Sequence, residues 1–204
     1  MYNQVVLFGD SIIKYKKKFQ SNWAKKLKEK IKSKKKQKVK FYIESITGLN
    51  SRIALEKLPK ILNKINKKSI ILIQIGINDS WHFKSLRGLP SVSINTFMAN
   101  MNELISKLKK FDSKKIYLIN YHKLLNNRIE INKKNLNQNL NSYNLILKKL
   151  SKKNKINFVD INKKTSKINP HNICRPLPDG IHLSKNGEKI YADIMFDEIN
   201  KFFK

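Results

Sequence analysis

Four short stretches hold residue types that together could perform nucleophilic chemistry at a carbonyl carbon. The first is Gly9-Asp10-Ser11-Ile12. Glycine permits a tight backbone turn. A serine just beyond it, at or near the start of a helix, would meet free N–H groups and the positive end of the helix dipole. Its oxygen could attack a carbonyl while its own N–H helps hold the resulting oxyanion. Asp and Ser are also favoured helix caps, so the stretch by itself is open to that reading too. In the second stretch, Glu44 to Ser51, Gly48 could present an unencumbered N–H or serve as a turn glycine. The third is Gln74-Ile75-Gly76-Ile77-Asn78-Asp79. Here Gly76 allows close backbone approach and Asn78 offers an NH₂ donor, although loop Asn is commonplace in a chain with 25 of them. The fourth, Pro178-Asp179-Gly180-Ile181-His182-Leu183-Ser184, sets an Asp three residues before one of only four histidines. A carboxylate at that spacing can accept the Nδ1 hydrogen bond of the imidazole and fix its tautomer, leaving Nε2 to take a proton from a serine. Asp179-Gly180 also reads as a plain turn with His182 incidental. The joint occurrence of the four carries more than any one of them. Their order, Ser then Asp then His, is that of many α/β hydrolases, without the Gly-x-Ser-x-Gly elbow.

Five apolar runs must position these stretches: Val5–Phe8, Val39–Ile43, Ile70–Ile75, Ile116–Ile119 and Ile156–Val159. They are short, mostly β-branched or aromatic, and nearly unbroken, as strands buried on both faces of a parallel sheet are. Between them run stripes at helical spacing: Phe19, Trp23, Leu27 and Ile31; Leu55, Leu58, Ile61, Leu62 and Ile65; Phe97, Met101, Leu104, Ile105 and Leu108; Leu136, Leu140, Tyr143, Leu147 and Leu150. A last stripe takes Ile190, Ile194, Phe196, Ile199, Phe202 and Phe203. Apolar stripes of this kind face a core. The alternation predicts an α/β three-layer α/β/α sandwich with a five-stranded parallel sheet. The polar, proline-bearing segment 161–180 reads as a long loop, and the Lys runs 16–18 and 34–36 as solvated helix ends or loops. In such a sheet ligands bind beyond the carboxyl ends of the strands, and there the chemical stretches fall.

On these four blocks the chain resembles the SGNH hydrolases, also called GDSL-like lipases and esterases. Gly9-Asp10-Ser11, Gly48, Gly76-Ile77-Asn78-Asp79 and Asp179-Gly180-Ile181-His182 stand where that family has its motifs. Ile12 replaces the usual Leu of the first block, and Thr47-Gly48-Leu49-Asn50-Ser51 matches the second more loosely. The resemblance spans nearly the whole chain and implies one domain, 1–204, with a flavodoxin-like strand order. It implies a serine esterase acting through an acyl-enzyme, with Ser11 as nucleophile, His182 as general base and Asp179 orienting the imidazole. The oxyanion would sit among the N–H of Ser11, the N–H of Gly48 and Nδ2 of Asn78. Asp10 and Asp79 would brace their loops. No cofactor and no metal are implied. The family includes carbohydrate O-acetylesterases, and a short chain without a lid insertion suits small acyl groups, so the expected partner is a small acyl ester, such as an acylated sugar or anionic glycan. An O-acyltransferase on the same scaffold and a catalytically dead sugar-binding protein are the neighbouring readings. Trp81, Phe83 and Arg87, in the loop 77–95 after the third block, are candidates to line the substrate pocket.

Composition bears on partners and compartment. The net charge is +30, yet of the 44 basic residues only Arg52, Arg87, Arg128 and Arg175 are Arg. Lys, Asn and Ile are inflated together, the mark of AT-rich codons, and the Lys is spread over nearly every surface segment. Nucleic-acid sites usually use Arg for bidentate contacts, so a specific nucleic-acid partner is not expected. A positive field would still speed encounters with anionic partners. The one cysteine, Cys174, and an N-terminus that runs straight into Val5–Phe8 point to a reducing, cytoplasmic setting. No window of 18 apolar residues suggests a membrane span. His82, His122 and His171 lack ligand-like spacing with carboxylates or Cys174.

Overall fold

The structure is a computed structural model that describes residues 2–13, 22–34, 38–83, 86–110, 115–130 and 132–203. Phe19 of the first stripe, Lys16–Lys18 and two residues of the run 34–36 lie outside the described residues.

Five strands, β1 (Gln4–Gly9), β2 (Lys40–Ser45), β3 (Ser69–Gln74), β4 (Ile116–Ile119) and β5 (Asn157–Val159), form one sheet in the order β2-β1-β3-β4-β5. Every pairing is parallel. The long helices are α1 (Trp23–Lys34), α2 (Ser51–Leu62), α3 (Ile94–Leu108) and α4 (Leu136–Asn154). Two short ones, α5 (Ile161–Lys164) and α6 (Pro170–Ile173), precede α7 (Lys185–Ile199) and a closing 3₁₀ turn, Asn200–Phe202. Because side chains alternate along a strand, each strand feeds two cores. Val5, Leu7, Ile70 and Leu72 pack with Trp23, Leu27 and Ile31 of α1 and Tyr191 and Met195 of α7. Val6, Phe8, Ile71 and Ile73 pack with residues of α2, α3 and α4. That is the three-layer sandwich with the expected strand order. The unbroken apolar runs of β1 and β3 are buried almost throughout, whereas β2 and β5 are edge strands and only partly covered.

Two expectations change. The segment 161–180 is not a plain loop. Asp160 caps α5 by accepting from the Lys163 N–H. Asn169 caps α6, with Pro170 at its first position, where a missing N–H costs nothing. Helices of four residues are too short to show a periodicity. The stripe of α7 is also turned. Its buried face is Gly187, Glu188, Tyr191, Ala192, Met195, Phe196 and Ile199, and Ile190 and Ile194 are only half-buried. A Cβ at position 187 would lie 2.0 Å from the Ile173 carbonyl oxygen, so the helix presses its glycine against α6 and its roll is set by that contact.

In this strand order the connections from β1 and β3 leave toward opposite faces of the sheet. The crevice between their carboxyl ends is where such folds hold ligands.

Candidate active site

Ser11 stands just past the carboxyl end of β1. The reason for Gly9 is close approach: a Cβ there would lie 2.2 Å from the Gln74 carbonyl oxygen of β3. Ile13 N–H donates to the Asp10 carbonyl at 3.1 Å, closing a turn with Ser11 on it. Asp10 itself is fully buried. Its Oδ1 accepts the Ile12 N–H at 2.9 Å, and its Oδ2 accepts the Tyr121 hydroxyl. Burial pushes the Asp10 carboxyl up to about 7, against the pull of those two hydrogen bonds. Ser11 therefore rides on a turn that is anchored from below. The described helix α1 begins only at Trp23, so the described part of its surroundings is a turn rather than a helix start.

The far end of the chain meets it. His182 Nε2 lies 3.0 Å from Ser11 Oγ, across 171 positions of sequence. On the other side of the ring, Nδ1 lies 3.0 and 3.1 Å from the two oxygens of Asp179. With Nδ1 carrying the proton shared with Asp179, Nε2 is the acceptor facing the serine. Asp179 Oδ1 also accepts the N–H groups of Ile181 and His182, each at 2.9 Å. Partial burial pushes this carboxyl up, but the two N–H bonds and the imidazole outweigh it and hold it below the ordinary Asp range.

The loop that carries this pair is clamped to the β4–α4 connection. Leu125 and Asn126 both donate backbone N–H groups to the Gly180 carbonyl at 2.9 Å. Asn126 Nδ2 reaches the carbonyls of Pro178 and Asp179 at 3.2 Å. Gly180 has φ +60°, and a Cβ there would lie 2.6 Å from the Asn126 nitrogen, so only glycine fits the clamp. Residue spacing did not single out Asn126 or Tyr121. The signal available was their place directly after the fourth apolar run, the same carboxyl-edge rule that drew attention to the other loops.

The second and third blocks interlock beside Ser11. Ser45 Oγ donates to the Asp10 carbonyl at 2.8 Å, and the Ile46 N–H to the Gly9 carbonyl at 3.0 Å. Asn78 Nδ2 donates to the Leu49 carbonyl at 3.0 Å, which spends one of its two N–H bonds on the loop of Gly48. Gly48 is exposed with φ +76°, and a Cβ there would touch nothing within 4 Å. Asp79 accepts the Ser51 N–H at 2.9 and 3.1 Å. Burial pushes its carboxyl up to about 6.

The candidates of the loop after β3 divide. Trp81 is half-buried, its ring centroid 6.2 Å from that of Phe83, with the Arg128 guanidinium 5.7 Å over the indole. Phe83 and Arg87 are exposed, and Arg87 lines a separate cleft. His82 braces this loop. Its Nδ1 lies 3.0 Å from the Ser80 carbonyl and 3.3 Å from buried Glu130, and Asn132 Nδ2 lies 3.1 Å from Nε2. His122 is buried with Nδ1 2.6 Å from the Tyr191 hydroxyl, and burial pushes its pKa down to about 4. Among the described residues no group of three or more His, Cys, Asp or Glu side chains is placed to hold a metal ion.

A family model described as GDSL-like lipase/acylhydrolase matches residues 5–195. The chain belongs to that family. Its members hydrolyse acyl esters, and this protein is a carboxylic ester hydrolase of the SGNH fold. It is 28% identical over 163 residues to the isoamyl acetate-hydrolyzing esterase of Saccharomyces cerevisiae, covering 76% of this chain and 67% of that protein. The lipase/acylhydrolase of Enterococcus faecalis has the same fold, with TM-score 0.80, 18% identity and coverage of 99% and 97% of the two chains. The acetyl xylan esterase AlAXEase is also similar, at TM-score 0.74 and 24% identity over 96% of this chain and 99% of its own. No helix among the described residues is long and apolar enough to cross a membrane.

Proposed function

We propose that the protein is a serine esterase that hydrolyses short-chain acyl esters, an O-acetyl group on a carbohydrate foremost, through Ser11, His182 and Asp179. The observation that carries this reading is the 3.0 Å approach of His182 Nε2 to Ser11 Oγ, with Asp179 on the opposite ring nitrogen. Ser11 Oγ attacks the ester carbonyl carbon as its proton passes to Nε2. The new oxyanion is held by the N–H of Ser11, the N–H of Gly48 and the second N–H of Asn78 Nδ2. The tetrahedral intermediate collapses, the alcohol leaves with the proton from Nε2, and an acyl-Ser11 remains. Water, deprotonated by the same nitrogen, attacks the acyl carbonyl and releases the acid and free Ser11. Each oxyanion donor contributes about 3–4 kcal/mol to the transition state. The acetyl preference draws on the names of the similar proteins, which act on isoamyl acetate and acetyl xylan.

Hydrolysis of p-nitrophenyl acetate, butyrate and octanoate by the wild type and by Ser11→Ala tests the reading. The acetate is expected to be the best of the three, and Ser11→Ala to lower kcat by about 10⁴-fold or more. Equal rates for the two proteins would remove Ser11 from the mechanism.

A further inference from the structure

The chain uses 40 Lys and only four Arg, and the four are not scattered. Arg52 is in the first turn of α2, directly beyond β2. Arg87 is in the connection from β3 to α3, Arg128 in that from β4 to α4, and Arg175 between α6 and α7, donating its N–H to the His182 carbonyl at 2.8 Å. All four thus stand at the carboxyl end of the sheet, on the loops that carry the site. Codon bias toward Lys would not produce that placement.

Arg52 and Arg87 share a cleft of about 370 Å³, whose other walls are Leu86, Leu89, Pro90 and Ser91. Among the described residues no carboxylate lines it, and neither Arg52 nor Arg87 has a carboxylate within ion-pair distance. The local fold gives Arg52 a longer-range attraction to the buried Asp79 carboxylate, and two features oppose the cations. Arg52 sits near a helix N-terminus, where the dipole disfavours positive charge. Arg87 has φ +51°, a left-handed backbone that costs a non-glycine residue energy. The cleft is separate from Ser11, and a chain of contacts links it to Asn78. Asn50, which caps α2 through the N–H groups of Arg52 and Ile53, donates to Ser91 Oγ at 3.4 Å, and the preceding Leu49 carbonyl binds Asn78.

We propose that Arg52 and Arg87 form a subsite for an anionic group on the alcohol part of the ester, a carboxylate or a phosphate, with Leu86, Leu89 and Pro90 covering its apolar flank. The inference rests on the esterase reading above and adds a substrate class to it. An acetyl group is too small to carry the charge itself, so the anion belongs to the acetylated alcohol. Guanidinium groups suit it because they offer bidentate hydrogen bonds to planar carboxylate and tetrahedral phosphate alike.

The test compares kcat/KM for an O-acetylated neutral hexose, an O-acetylated hexuronate and an O-acetylated hexose phosphate. Salt is held near 0.15 M so that the distant Lys field is screened. The wild type is expected to prefer one anionic ester over the neutral one by on the order of 10- to 100-fold. The preferred member distinguishes carboxylate from phosphate. In Arg52→Gln/Arg87→Gln the ratio should fall toward one, mainly through KM, and Arg87→Lys should restore only part of it. Lys32→Gln/Lys34→Gln, on α1, should leave the ratio at its wild-type value. No anionic preference, or a preference that survives the double Arg variant, overturns the subsite. Ser11→Ala runs alongside: if it hydrolyses all three esters like the wild type, the esterase reading itself fails, and that outcome is distinct from loss of the anion preference.

Discussion

Asp10 precedes Ser11 by one residue and Asp179 stands behind His182, yet the two carboxyls live in opposite surroundings. Asp10 is wholly buried in the turn that carries Ser11, and burial pushes it up to about 7. Asp179 is only partly covered and accepts two backbone N–H groups besides the imidazole, which together hold it below the usual range. The difference fits the roles proposed for the two residues. A carboxyl that fixes a turn needs only to exchange hydrogen bonds, which it does charged or neutral. A carboxylate that stabilises an imidazolium, as proposed for Asp179, must keep its charge, and N–H donors with a share of solvent serve that end. Asp79, buried and pushed up to about 6 against Ser51, belongs with Asp10.

Neutralising the two carboxyls in turn separates their roles. Asp179→Asn should lower kcat by about 10⁴-fold, through loss of the charge and the wrong tautomer. A small effect on p-nitrophenyl acetate turnover would show that Asp179 is no more catalytic than Asp10. The clamp comes next. Asn126→Ala removes two hydrogen bonds from the loop of Asp179 and should lower kcat roughly 10-fold, with the unfolding midpoint in urea little changed. A variant with full kcat would mean that the backbone bonds to Gly180 position the loop without it.

The smallest effect is expected at Asp10, and it lies in stability. A carboxyl whose folded pKa is raised binds its proton more tightly folded than unfolded. Its contribution favours the fold at low pH and is lost as pH rises from 3.8 through about 7. Asp179 runs the other way: its contribution is present above 3.8 and is lost as pH falls through its lowered folded pKa. In Asp10→Asn, where an amide can accept from Ile12 and donate to the Tyr121 oxygen, the decline in stability from pH 5 to pH 8 should shrink by roughly 1–3 kcal/mol. Urea melts at the two pH values measure it, and an unchanged decline would place the buried proton elsewhere.

Much of this was legible in the chain itself. The runs at Val5, Ile70 and Ile116 announced a buried parallel sheet, because strands covered on both faces have no polar side to alternate with. The spacing of Asp179 and His182 offered their pairing as one of two readings, since both lie in one short loop, and the joint occurrence of the four blocks favoured it. The roll of α7 could not be read, because a contact between Gly187 and the backbone of Ile173 sets it and its central residue is a tyrosine rather than an aliphatic. The four-residue helices α5 and α6 were too short for any period to register.

What the sequence determined alone is local: residue types, their order, and the periodicities that say which way each segment must face. The meeting of Ser11 with His182, the burial of Asp10 against Tyr121, the clamp of Asn126 on Asp179 and the shared cleft of Arg52 and Arg87 were decided by the tertiary structure. Each joins segments far apart in the chain, and their distances and burial exist only once the sheet has brought its carboxyl-end loops together.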